Sequence, residues 1–168
     1  MNKITFPGFI LITCMVFLTS CSKDSIQDEV TAYDQVVTKK TNYTYNHIEG
    51  EIFDEINLYR KAIGLRELKV IAKISVESEI HNEYMINVGN VSHENFSQRA
   101  SFLKNEIGAK TVAENVGYGY LTSKAVVNAW LKSKADRENI EGNYTHFGIS
   151  VRQDANGKNY FTNIFIKK

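Results

Sequence analysis

The sequence predicts a single α+β domain, with helices packed on a small antiparallel sheet, carried behind an export segment. Three observations predict it. Apolar residues recur at helical spacing over residues 48–63 and 71–88, and two C-terminal runs, about 145–153 and 159–166, read as strands around a turn. Helices first and a closing hairpin last is the α+β order. At 168 residues the chain has room for one ordinary domain plus targeting and linker segments. Its two cysteines, Cys14 and Cys21, both lie in the N-terminal segment, so the domain is held by its core and buried polar contacts, without a disulfide.

Residues 1–20 read as a signal peptide. Lys3 is the one cation, and the run from Ile4 to Leu18 has only Thr5 and Thr13 as polar members. That run is short of the ~20 residues that span a bilayer. The order Leu18-Thr19-Ser20-Cys21 is similar to a bacterial lipobox and marks Cys21 for lipidation; the alternative is an ordinary signal peptide in which the cysteine falls by chance. Each buried methylene of an acyl chain contributes ~0.8 kcal/mol, so several chains anchor firmly. Residues 21–45 read as the lipidated cysteine and a polar tether, and 46–168 as the domain, with the stretch from Tyr43 to His47 the least certain boundary.

Within the domain, Ile48, Ile52, Phe53, Ile56, Tyr59 and Ile63 share one face of a helix that ends near Gly64. A helix from about Ile71 to Val88 carries two apolar stripes, which predicts burial on more than one side. A loop from Gly89 to Phe96 leads to a helix over 97–107, capped by Ser97 and ended by Gly108. Residues 113–120 read as irregular. Thr122 or Ser123 caps the next helix, through Leu131, and Asp154-Ala155-Asn156-Gly157 turns the final hairpin. Twenty Lys and Arg against 19 Asp and Glu leave no basic field, which excludes nucleic acid as an expected partner.

The ordered landmarks then carry a resemblance. Asn57 and Arg60, Gly64-Leu65, Leu68, His81 and Met85 come first. Ser92-His93, Arg99, Glu114-Asn115-Val116, Trp130-Leu131-Lys132-Ser133, Arg137, Asn139-Ile140 and Tyr144-Thr145-His146-Phe147-Gly148-Ile149 follow. Together they resemble the CAP superfamily (cysteine-rich secretory proteins, antigen 5 and pathogenesis-related 1 proteins), especially its cysteine-poor bacterial branch. The resemblance implies an α-β-α sandwich and a cleft built on two histidines and two acids, which in some members hold zinc. His93 matches the first histidine and Glu114 the first acid. Ser133 stands where eukaryotic members carry the second acid. Ala135-Asp136-Arg137 stands where the family places its second histidine, so the ligating pair is not intact.

Two chemistries remain open for that cleft. His93, Glu114 and Asp136 could bind a divalent ion such as zinc weakly, with His93 as the nitrogen ligand. Alternatively, the two acids hold a protonated His93 in a charge cluster. Asn115 and Ser133 are expected to line the same cleft. For His93 the plain alternative is an exposed loop residue, and for Glu114 a loop-bracing role. Arg99 and Arg137 read as ion-pair residues, Trp130 and His81 as core, and His146 as lying at a strand start. No nucleophile elbow, His-Glu-x-x-His helix or phosphate loop occurs, and the domain has no thiol. The expectation is an exported, lipid-anchored protein of a bacterial cell envelope, facing periplasm or exterior. It binds a lipid, glycan, peptide or protein without turnover. The alternative is a peptidase-like hydrolase, metal-dependent or acid/base, using His93, Glu114 and Asp136; the third reading is a purely structural cleft.

Overall fold

The computed structural model describes residues 43–168. The segment read as a signal peptide, and Cys21, lie outside the described residues. The elements run α1 (His47–Ala62), β1 (Lys69–Val70), α2 (Ala72–Val88), α3 (Phe96–Ile107), β2 (Thr111–Tyr118), α4 (Ser123–Lys132), α5 (Lys134–Ile140), β3 (His146–Gln153) and β4 (Asn159–Lys167). The sheet order is β1-β3-β4-β2, antiparallel throughout except that β1 joins β3 in parallel. The α+β architecture expected from the order of elements is therefore present, with a short parallel strand added at one edge.

Strands buried on both faces make the sandwich. Phe147, Ile149, Val151, Phe161 and Phe165 face one core with Ile52 and Ile56 of α1 and Val126, Val127 and Trp130 of α4. Ile164 and Ile166 face the other, with Ile74 and Val76 of α2 and Phe102 and Leu103 of α3. Alternate residues of β4 thus serve opposite layers, as the period of a strand requires. Gly148 lets α2 come unusually close: a Cβ there would stand 2.4 Å from the Ser75 nitrogen. Ser75 and Ser78 use that proximity, Ser75 Oγ accepting from Ile149 N and Ser78 Oγ donating to the Gly148 carbonyl.

Several local expectations change. Residues 113–120, read as irregular, contribute most of β2, which pairs with β4 along its whole length. As an edge strand buried on its faces and containing Gly117, it has no apolar alternation to betray it. Its outer carbonyls are covered, since Asn139 donates to Glu114 O and Trp130 Nε1 to Val116 O. Unpaired strand edges invite association, and this cover removes two of the groups that would support it. α3 starts at Phe96, not after a Ser97 cap; Asn95 precedes it with φ 60° and no side-chain cap bond. Of the two candidate caps for α4, Thr122 accepts from Ala125 N, whereas Ser123 turns to Glu51 and Glu55 of α1.

α5, a seven-residue helix not assigned from the sequence, is capped by Ser133 and held at its end by Arg60. The Arg60 guanidinium, 2% exposed, donates to the Arg66, Ile140 and Gly142 carbonyls. Asn57 bridges both backbone groups of Leu68. The folded unit also reaches further forward than the boundary read at residue 46. Tyr43 packs beside the α2 and α3 core and donates to Glu49, which Arg152 and Val151 N also bond.

Candidate functional site

The site forms at the β2 edge, where the loop before α3 meets α2 and α5. Glu114 is its centre. The alternation of β2 turns Glu114 toward the α2 layer and Asn115 toward α5, so neighbouring residues part to opposite faces. The Glu114 side chain is 1% exposed, and Arg99, 4% exposed, forks onto it with Nε to Oε2 at 2.8 Å and Nη2 to Oε1 at 2.9 Å. Arg99 also donates to the Glu94 carbonyl, tying α3 to the loop before it. This bidentate pairing is strong and directional.

Two histidines approach the same carboxylate. His93 Nδ1 stands 2.9 Å from Glu114 Oε1, and its side chain is 55% exposed. His81 Nε2 is 3.8 Å from that oxygen but 2.8 Å from the Ser92 carbonyl, and its side chain is wholly buried. Facing acceptors fix the tautomers: Nδ1 of His93 and Nε2 of His81 carry protons. The bond with Glu114 raises the His93 pKa against the opposing effect of burial, and the Glu114 and Asp136 charges add to it. Burial, then the Arg99 charge, hold His81 below the ordinary imidazole range. Burial works to raise Glu114, but the bond from His93 and the charge and bonds of Arg99 outweigh it, and its pKa is lowered. The cluster therefore favours a carboxylate, a neutral inner histidine and a cationic outer one.

The outer imidazole belongs to a shallow, open depression of about 500 Å³ lined by residues 92–98. Its lining is mostly polar, with Phe96 half-buried among Ser, Glu, Asn and Gln. Ser92 Oγ accepts from Glu94 N and so braces the loop.

The remaining expected residues divide. Asp136 is half-buried and acts on His93 through its charge, while its backbone carbonyl accepts from Asn115 Nδ2 at 3.0 Å. Asn115 is fully buried, bonded also by Asn139, so it braces β2 on α5 and does not line the depression. Ser133 Oγ caps α5 at the Asp136 nitrogen and supports its helix start. Arg99, read as an ion-pair residue, is the clamp of the site, and His81, read as a core histidine without a ligand partner, is its inner wall. Arg99 and Glu114 stand fifteen positions apart in the chain, and no spacing rule marks such a pair.

The residues do not suit a zinc site. Both Glu114 oxygens already accept from Arg99, and Oε1 also from His93. Among the described residues, no group of three or more His, Cys, Asp or Glu side chains gathers as a metal would require.

Residues 53–165 match the family described as Cysteine-rich secretory protein family, or CAP. The chain belongs to that family. Uncharacterized membrane protein YlbC of Bacillus subtilis is 29% identical over 126 residues, 71% of this chain and 34% of the relative, so the chain spans about a third of that protein's length. An outer surface protein from Borrelia burgdorferi superposes with a TM-score of 0.67 at 19% identity, over 75% of this chain and 96% of that one. An extracellular SCP-domain protein from Bacillus anthracis gives 0.65 at 23% identity, over 77% of this chain and 43% of its own. These likenesses establish the CAP fold.

Proposed function

We propose that this CAP domain is a non-enzymatic binding module of the cell envelope, anchored through lipid at Cys21. It takes a polar, oxygen-bearing ligand at the 92–98 depression. The observation that carries the reading is His93, a half-exposed imidazole pinned through Nδ1 to a buried, ionised carboxylate. Among the described residues its Nε2 has no hydrogen-bond partner, and the raised pKa makes that atom a donor over a wider pH range. A preorganised donor beside a polar hollow recognises acceptor oxygens such as those of a peptide carboxylate or an acetamido sugar. The hydrolase reading has less support: Glu114 is fully engaged with Arg99 and His93, and a carboxylate held ionised is a poor proton donor.

The anchoring part rests on Leu18-Thr19-Ser20-Cys21 and accords with a membrane protein and an outer surface protein among the similar chains. Mass spectrometry of the chain recovered from membranes tests it; an unmodified Cys21 there would sink it. For the site, ¹⁵N-imidazole spectra of the acylated chain are followed while a free-carboxylate peptide and an N-acetylated oligosaccharide are added. The expected result is a saturable shift of the His93 resonances, with both probes recovered intact. Probe cleavage that disappears in His93→Ala would favour the hydrolase, and no shift with either probe would defeat the binding reading.

A further inference from the structure

The end of the sheet where the chain enters the domain carries a row of tyrosines. Ahead of α1, the Tyr43 and Tyr45 rings lie 4.8 Å apart. The Arg152 guanidinium lies over Tyr43, 5.3 Å from its centroid. Arg152 is the register partner of Tyr160, and Tyr160 of Tyr118. The Tyr118 and Tyr160 rings are 4.7 Å apart. Directly paired positions share a sheet face, so residues 45, 43, 152, 160 and 118 run continuously across one end of the sheet. Past Tyr118, itself 44% exposed, the chain turns at Gly119, φ 77°, and presents Leu121 at 74% exposure; Tyr45, at the other end of the row, is 36% exposed.

We propose that this end is the membrane-facing surface of the anchored domain, with Leu121 and the Tyr118 and Tyr45 rings seated at the boundary between headgroups and acyl chains. The inference rests on the anchoring reading above and adds the orientation that anchoring alone leaves open. The residues between Cys21 and Tyr43 could reach about 70 Å if fully extended, so a lipid on Cys21 does not by itself orient the domain. The chain enters at Tyr43, so this end of the sheet is the one the tether joins. Tyrosine suits that depth because its ring has an apolar body and a polar tip. Arg152 can lie there without carrying a bare charge into the interface, since Glu49 and Glu79 pair with it. The charges close in sequence to Leu121 and Tyr160 are mixed, Lys124 and Lys158 with Asp154, so the contact does not call for anionic lipid. Among the described residues, no helix is long and apolar enough to cross a membrane; the contact is interfacial. A sugar-stacking platform would use the tyrosines but leaves the protruding Leu121 without a role.

The test uses the acylated mature chain in phosphatidylcholine vesicles, with Leu121→Cys carrying a nitroxide. Once Cys14 is removed with the signal and Cys21 is a thioether, the label has one thiol to find. The control is Leu58→Cys, at a 69% exposed position beside Asn57, whose bonds to Leu68 place it toward the opposite end of the sheet. The expected result is a ratio of oxygen to nickel-chelate accessibility at least threefold higher at 121 than at 58. An acylated chain with equal, water-like ratios at both positions overturns this inference alone. A chain without acyl mass on Cys21 overturns the anchoring reading and this one with it. Protection of position 121 by an N-acetylated oligosaccharide but not by vesicles would assign the row to glycan and overturn the membrane contact.

Discussion

Replacing Glu114 by Gln keeps its shape and removes the charge on which the site is organised. Arg99 is 4% exposed and Glu114 1%, so neither partner can turn to water when the other is lost. Breaking one member of such a buried pair costs ~3–5 kcal/mol. The lower end applies here, because the Gln carbonyl still accepts one Arg99 donor and Arg99 keeps its bond to the Glu94 carbonyl. The Gln amide, however, offers protons toward the guanidinium. A loss of about 3 kcal/mol is a large share of the 5–15 kcal/mol typical of a domain. Urea unfolding at pH 7 measures it, and imidazole NMR on the same variant gives a second reading. His93 should titrate lower once the carboxylate that raises it has gone. The pH dependence carries a third sign. Glu114 has a lowered folded pKa, so its contribution is complete above the ordinary carboxylate value and is lost as pH falls through the depressed one. The variant should lack that acid limb. A stability loss below about 1 kcal/mol, together with an unmoved His93 titration, would refute the clamp.

Gly148→Ala should destabilise by about 3 kcal/mol or more, beyond ordinary overpacking, because the new methyl meets backbone of α2 at 2.4 Å rather than a movable side chain; a near-neutral thermal melt would show that α2 can retreat. Trp130→Phe should cost about 1–3 kcal/mol by leaving Val116 O without its donor at the covered edge of β2, read by urea unfolding, and added dimer in sedimentation would follow from the opened edge. The two histidines should give opposite pH slopes. His81, with its pKa depressed, contributes stability above about 6.5 that is lost on acidification, whereas His93, with its pKa raised, contributes below about 6.5 and loses it as pH rises through its folded value. Between pH 7 and 5, His81→Gln should therefore flatten the acid-side loss and His93→Ala steepen it; slopes in the same direction would contradict the opposite shifts of the two histidines.

The parts legible in the sequence were those that a short window of chain decides. Helical spacing gave α1 and α2 to within a residue or two, Gly108 and Gly157 take the positive φ that ends α3 and turns the hairpin, and Thr122 caps α4. The ordered landmarks also brought out the CAP resemblance and the pairing of His93 with Glu114. β2 escaped because an edge strand buried on its faces shows no alternation, and α5 because seven residues have too few turns for a period; its end is secured by Arg60 from a helix far away in sequence.

The site shows the same division. The residue types and their order along the chain named His93, Glu114 and Asp136, but not which groups would occupy the carboxylate. That was decided when α3 laid Arg99 across Glu114 and α2 brought His81 behind it, contacts made across 15 and 33 positions of chain. Asn115, adjacent to Glu114 in sequence, was turned to the other face by the pleat of β2 and became a brace. A sequence fixes local dihedral preferences and apolar periods, which act over a few residues. The partners of a buried charge are set by the packing of whole elements, and only the folded chain decides them.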